Sequence, residues 1–474
     1  MQPVSSGPDL ESSRRWFLFA VGSLLLSGLL ALILCLARVP FLKELVWDPG
    51  LVRRFLVVHV NLGLGVWLHS FMMALFCLLP GVRRSSAGGF LTALSGILLM
   101  IISAVFPSAD PVLSNYVPVL SHPLFLAGLV LFWGGIVFTL LGSSRLLPAG
   151  GPPSGLIPDA AEPGFRAGGI AFILAMAVTA VAVLSTQRGL GNESYYEMLF
   201  WGGGHVLLFS SEAVKLAIWI VLIALVTRNS PLSRGWSTGL FGLLLAAPAA
   251  SLYFTRFDTA ANDYRQFFTE AMRWGIFPIS LVFLGACIAA VVRAVRRGFH
   301  FSIGDVRMGG FVSSALLTIL GFVFGAFIRS PSTLVPAHYH ASMGAVTVAF
   351  MTMAFVLLPA YGFRIPARYE RIASWQPAIF GIGQAVFALG FAMAGSVGMG
   401  RKIYGQEQQV RGLMDYAGLA LVGLGGLIAV IGGVLFLFVI TAAVRKGALA
   451  ARRNVFSTQE DFAWKAQRHI PSRG

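Results

Sequence analysis

Long apolar runs dominate the chain, and their length carries the first inference. A helix rising about 1.5 Å per residue needs about 20 mostly apolar residues to cross a hydrocarbon core of about 30 Å. Twelve runs meet that requirement, with cores at 16–37, 55–79, 88–106, 117–141, 165–185, 197–226, 237–254, 267–292, 309–328, 336–358, 375–398 and 416–443. The pattern predicts an all-α polytopic membrane protein with twelve transmembrane helices in one bundle. Eleven further runs follow the first, so it reads as a span and not as a cleaved signal peptide.

Composition agrees: the 474 residues are 57% hydrophobic and 11% charged, with a mean hydropathy of +0.79. A net charge of +16 would by itself suggest nucleic acid, but its distribution points elsewhere. With both termini inside, 22 Lys and Arg fall in inside segments and 11 outside, leaving Lys215 and Arg273 within spans. That bias is the positive-inside rule. It predicts a bacterial inner-membrane protein with cytoplasmic termini, lipid around it and no nucleic-acid partner. Residues 1–15 read as a cytoplasmic tail, 16–443 as the membrane domain, and 444–474 as a basic cytoplasmic tail suited to anionic lipid. The Pro-rich stretch 147–164 reads as a linker. Cys35, Cys77 and Cys287 lie in apolar runs without paired spacing, and no Cys-x-x-Cys-His is present for covalent heme.

Chemistry concentrates in Pro336-Ala337-His338-Tyr339-His340-Ala341-Ser342-Met343. Residues two apart on a helix point roughly 200° from each other, so His338 and His340 face opposite sides of one rod. One helix is thereby equipped to stand between two metal centres, and imidazole inside a membrane is costly unless it is used. The second, sixth and tenth spans all enter from the outer side, which puts His59, His205, His338 and His340 at one level. The competing reading of each is a hydrogen-bonded core histidine. His69, about 80° around the helix from His59 and deeper, and His122, which precedes Pro123, suit supporting roles. Glu212 lies seven residues after His205 on nearly the same face, with Lys215 three further on. The pair suits a proton relay or an ion pair that locks helices. Glu270 and Arg273 repeat the spacing near the outer side.

The run Val335 to Gly344 resembles the tenth-helix motif of subunit I of heme-copper oxidases. Val57-Val58-His59-Val60-Asn61 and Trp201-Gly202-Gly203-Gly204-His205-Val206 are similar to that family's second and sixth spans. The resemblance implies that His59 and His340 clamp a low-spin heme, that His338 holds a high-spin heme, and that His205 stands where the family has a copper ligand. It also implies that Arg401 and Lys402 bind heme propionates. The departures are equally informative. No histidine occurs between His205 and His300, the seventh span offers only Pro248, Ser251 and Tyr253 as notable positions, and Phe209 replaces a tyrosine common in oxidases. A copper site needs nitrogen or sulfur donors, so copper is not expected, and oxygen reduction with it. His205 is then left as a distal ligand opposite His338, or as a hydrogen-bond donor to a ligand or quinone. The three glycines before it would let a flat macrocycle approach the backbone, or simply allow tight helix packing.

The expected protein is a heme-binding membrane subunit of a respiratory complex, with two hemes, b-type favoured. It would pass electrons between quinol or cytochrome c and partner redox subunits, a cytochrome c or iron–sulfur protein among them. The first alternative is a terminal oxidase or nitric oxide reductase whose second metal takes Glu212 or Tyr253. The second is a scaffold or transporter without cofactors.

Overall fold

The computed structural model describes residues 9–36, 49–81, 88–147, 157–302, 304–401 and 412–467. Every predicted span is helical. The first is α1 (Leu10–Leu36). The second is built of α2 (Pro49–Val60), a π-helical segment (Asn61–Val66) and α3 (Trp67–Cys77). Then come α4 (Gly88–Ser103), α5 (Pro123–Leu141), α6 (Glu162–Ser185), α7 (Asn192–Thr227), α8 (Arg234–Phe254), α9 (Asn262–Arg296), α10 (Val306–Phe327), α11 (Leu334–Leu357), α12 (Ala367–Ser396) and α13 (Leu413–Gln467). Among the described residues eleven spans are long and apolar enough to cross a membrane, and the twelfth, α4, is a shorter apolar helix of 16 residues.

Burial separates an inner set from an outer ring. In α7 89% of the most apolar window is buried, and in the second span and α11 78%, against 28% in α8 and 33% in α9. A helix buried all round must satisfy its polar groups within the protein, and the inner helices hold most of the polar side chains that matter below. The outer helices keep apolar faces outward, as with Leu184, Leu243, Leu316 and Phe327. Packing between α4 and α5 depends on Gly96 and Gly128, whose backbones approach so closely that a Cβ on either would collide with the other's carbonyl. Cys77 and Cys287 are buried small residues; the side chain of Cys35 lies outside the described residues.

Two local features depart from the hydropathy reading. The apolar stretch expected to open the fourth span at 117 instead forms β2 (Val119–Ser121), paired antiparallel with β1 (Asp110–Val112) so that Asp110 faces Ser121. Helix α5 begins only at Pro123, with His122 at the N-cap, where its Nδ1 accepts the Leu124 amide at 3.3 Å. Pro118 and Pro123 break the run, and proline suits the first helical turn. The second departure is the π-helical turn. Asn61 opens it and donates through Nδ2 to Val57 O (2.9 Å) and Pro118 O (2.7 Å), tying the second span to the loop beside the hairpin. Such widened turns occur often at functional sites. At the far end α13 continues helical to Gln467, well past the apolar run.

Candidate functional site

The histidines differ in what their two ring nitrogens meet. A carbonyl oxygen only accepts, so a ring nitrogen bonded to one must carry the proton, and its opposite nitrogen then bears a lone pair. His59, the penultimate residue of α2, places Nδ1 at 2.8 Å from Ser27 O on α1. The Ser27 hydroxyl sits 3.0 Å from the same nitrogen and also 3.0 Å from His59 O. His338 on α11 donates Nδ1–H to Gly321 O of α10 at 2.7 Å. In both rings Nε2 remains a lone-pair donor, in a tautomer and orientation fixed from behind. Ligating histidines are characteristically held this way.

His340 is fixed differently. Its ring stands edge-on to Phe387 at 4.7 Å and stacks near Phe391 at 5.8 Å, both on α12, and among the described residues it makes no hydrogen bond. His338 thus addresses α10 and His340 addresses α12, which agrees with two opposite faces of one helix. His205 is doubly engaged: Nδ1 donates to Trp201 O at 2.6 Å, and Nε2 accepts the Tyr116 hydroxyl at 2.8 Å. The Tyr116 ring lies 4.5 Å from the imidazole. His69 donates Nδ1–H to Gly65 O at 2.7 Å, packs on Phe172 at 5.0 Å and leaves a buried Nε2 without a partner. His122 stacks on Phe106 at 5.3 Å.

Asn61 and His205 both bond to the loop between the strands, through Pro118 and Tyr116 respectively, so the second and sixth spans share one end of the bundle there. Arg401 is near enough to act on Tyr116. Burial first, and the Glu197 carboxylate second, push the Tyr116 hydroxyl above the ordinary tyrosine range, while the Arg401 guanidinium opposes them. Glu197 in turn accepts from the Asn115 amide at 3.0 Å. Lys402 lies outside the described residues. The faces of Gly202, Gly203 and Gly204 are taken by Tyr264, Thr179 and Tyr116. They serve close packing and offer no bare backbone to a macrocycle.

Deeper in the bundle, Lys215 Nζ lies 2.9 Å from Glu212 Oε2, with the side chains 2% and 9% exposed. Ser280 of α9 donates to Glu212 Oε1 at 2.5 Å, and Lys215 donates to Thr318 of α10 at 3.0 Å. Trp219, one turn on, donates to Ser314 at 2.8 Å, and Ser314 donates to Ala345 O of α11 at 2.8 Å. Four helices meet at this network. Glu270 and Arg273 also pair, at 2.8 Å, but half-exposed on α9. Tyr253 is 57% exposed, with Arg256 over its ring. Among the described residues no three His, Cys, Asp or Glu side chains come together to hold a metal ion.

A family model described as cytochrome c and quinol oxidase polypeptide I matches residues 12–435. The chain belongs to that family. It is a divergent member of the heme-copper oxidase superfamily. An uncharacterized protein of Aquifex aeolicus is 28% identical over 73% of this chain and 85% of its own. An uncharacterized protein of Rickettsia prowazekii is 23% identical over 93% of this chain and 97% of its own. A solved heme-copper terminal oxidase dimer superposes with a TM-score of 0.71 at 15% identity, covering 91% of this chain and 83% of that one; at that identity the likeness speaks for the fold. The protein is therefore an integral membrane protein of a redox family, with the twelve-helix bundle of oxidase subunit I and, by family, a heme-binding one.

The donor set fits a heme. His59 and His338 present Nε2 lone pairs backed by carbonyls, and His340 presents an imidazole framed by aromatic rings. The residues that sequence alone did not single out are the backing groups: Ser27, Gly321 O, Tyr116, Ser280 and Thr318. Ser27 is a hydroxyl in an apolar run, which is a weak signal. Tyr116 sits in a loop with no motif around it.

Proposed function

We propose that the chain is a heme-binding membrane subunit of a respiratory complex, passing electrons between quinol or a periplasmic cytochrome c and partner redox subunits. His59 and His340 would hold one b-type heme and His338 a second. The observation that carries the reading is the matched arrangement at His59 and His338, each with Nδ1–H on a carbonyl of a neighbouring helix and Nε2 free. The heme supplies one-electron redox chemistry when bound. The protein's own residues fix ligand tautomer and orientation, exclude water from the inner helices, and place Arg401, with Lys402 as its proposed companion, near the outer end for propionates. Orientation in a bacterial inner membrane with cytoplasmic termini rests on the positive-inside bias.

His205 takes a supporting role in this reading, because both its nitrogens are engaged. A second metal at Glu212 or Tyr253 finds little support: Glu212 is held by Lys215 and Ser280, and Tyr253 faces outward. Glu212 and Lys215 lock the inner helices, since each charge has a second partner on another helix.

The test is heme and metal stoichiometry on the purified protein, by pyridine hemochrome and elemental analysis, with reduced spectra with and without carbon monoxide. Two hemes, no copper, and loss of the low-spin absorbance in His340→Ala are expected. One copper beside a carbon-monoxide-reactive heme, or an unchanged spectrum in His340→Ala, would overturn the assignment.

A further inference from the structure

At the end of the bundle assigned above to the cytoplasm, the C-terminal ends of α7 and α9 border a cavity of about 360 Å³, and Arg228, Arg293 and Arg297 line it. Buried Ala290 and Ala294, with Phe299, supply its apolar lining. Among the described residues no carboxylate lines the cavity, and none of the three arginines takes part in an ion pair. The other polar side chains there are already engaged. Asn229 Nδ2 donates to Thr227 O at 3.1 Å, and Ser230 Oγ donates to Leu232 O at 2.7 Å. The guanidinium groups are the donors left for a ligand.

Three observations point to an anion. Arg228, just past the end of α7, has φ 57° and ψ 18°, and it is the one non-glycine with positive φ among the described residues. That left-handed position at a helix end favours glycine, so an arginine held there marks a side chain with a use. Arg293 and Arg297 stand four apart on one face of α9, where like charges repel. The two helix C-termini carry roughly half a negative charge each and so offset about one of the three positive charges. The inside bias of basic residues accounts for arginines at this end, but not for their convergence on one cavity. A cleft lined by one sign of charge and walled by apolar groups concentrates its field on an incoming counter-ion.

We propose that this cavity binds a phosphate ester, with Arg228 from α7 and Arg293 and Arg297 from α9 as its phosphate donors. The planar guanidinium fork matches phosphate oxygens in pairs. The volume lies at the low end of the roughly 300–1,000 Å³ of small-molecule sites, which suits a phosphate with a small organic body such as glycerol. A glycerophosphate group can arrive as the headgroup of an acidic phospholipid, which basic pockets between spans recognise, or as a soluble ester. Neither the hemes nor their ligands take part, and the site stands whether or not the electron-transfer reading holds.

The test uses the full chain, delipidated in mild detergent and titrated with phosphatidylglycerol, phosphatidylcholine or glycerol 3-phosphate under native mass spectrometry, with thermal unfolding in parallel. One retained phosphatidylglycerol or glycerol 3-phosphate, and no retained phosphatidylcholine, is expected. Arg228→Gly and Arg297→Gln should each weaken retention about fivefold, as for exposed charges. Arg296→Gln, beside the cavity but not lining it, should leave retention unchanged. Arg228→Gly also relieves the left-handed backbone, so it should keep or raise the unfolding temperature while binding falls; a merely structural arginine would not divide the two readouts in that way. Retention of the lipid alone assigns the phosphate to the membrane, and retention of glycerol 3-phosphate alone assigns it to the aqueous phase. No binding of either, binding unchanged in folded Arg228→Gly and Arg297→Gln, or equal weakening by Arg296→Gln would overturn the proposal.

Discussion

Lys215→Met is the perturbation that most directly tests the inner network. The Nζ to Oε2 distance of 2.9 Å corresponds to about 6 kcal/mol of attraction at an effective dielectric near 20. Burying the two charges offsets most of that, by several kcal/mol per ion. The pair therefore adds little over an apolar pair, while removing one partner strands the other. Lys215→Met leaves Glu212 with Ser280 alone and should cost about 3–5 kcal/mol. Glu212→Gln should also destabilise, since it leaves the Lys215 ammonium with Thr318 and an amide. The double variant Lys215→Met with Glu212→Gln removes both charges and should return to within about 1 kcal/mol of the parent. Equilibrium unfolding in detergent, followed by the fluorescence of Trp219 against a Trp219→Phe control, reads the three values. A double variant as unstable as the sum of the singles would refute the coupling. The same double variant separates a lock from a proton relay: full heme content with undiminished electron transfer fits a lock, and full heme content with electron transfer lost fits a relay.

Other consequences are open to simple measurement. Tyr116→Phe leaves His205 Nε2 without its donor and should cost about 1–3 kcal/mol, read by thermal unfolding. Because Tyr116 ionises above the ordinary tyrosine value, the folded protein holds that proton where the unfolded chain releases it. Stability should therefore fall as pH rises past about 10, and Tyr116→Phe should lessen the fall; tyrosinate absorbance at alkaline pH checks the order of ionisation. Gly325→Val should lower heme content, since even a Cβ there comes within 2.9 Å of His338 Nδ1 and the larger side chain must push the ring off Gly321 O; heme retained in full would count against His338 as a ligand.

Much of the fold was legible in the chain because a membrane span is specified by length and polarity alone, so each of the twelve runs became a helix. The reading failed where polarity stays apolar but backbone geometry changes. Residues 119–121 are as apolar as a helix start, yet Pro118 and Pro123 turn them into a strand. The π-helical turn at Asn61 is likewise silent in hydropathy, because one extra residue in a turn alters no composition.

At the site, what was legible in the chain is what one helix fixes within a few residues of itself. His338 and His340 had to face opposite sides of α11, and Glu212 and Lys215 had to meet, because helix geometry fixes those relations locally. What each group meets on other elements came from packing alone: Ser27 and Gly321 fix the proton on Nδ1 of His59 and His338, Tyr116 closes Nε2 of His205, and three side chains fill the Gly202–Gly204 faces. These partners lie 32, 17 and 89 residues away for the three histidines, and no local period links them. A carbonyl or loop hydroxyl becomes a partner only when helices pack, since its direction in space follows from the crossing of elements and not from the residues beside it.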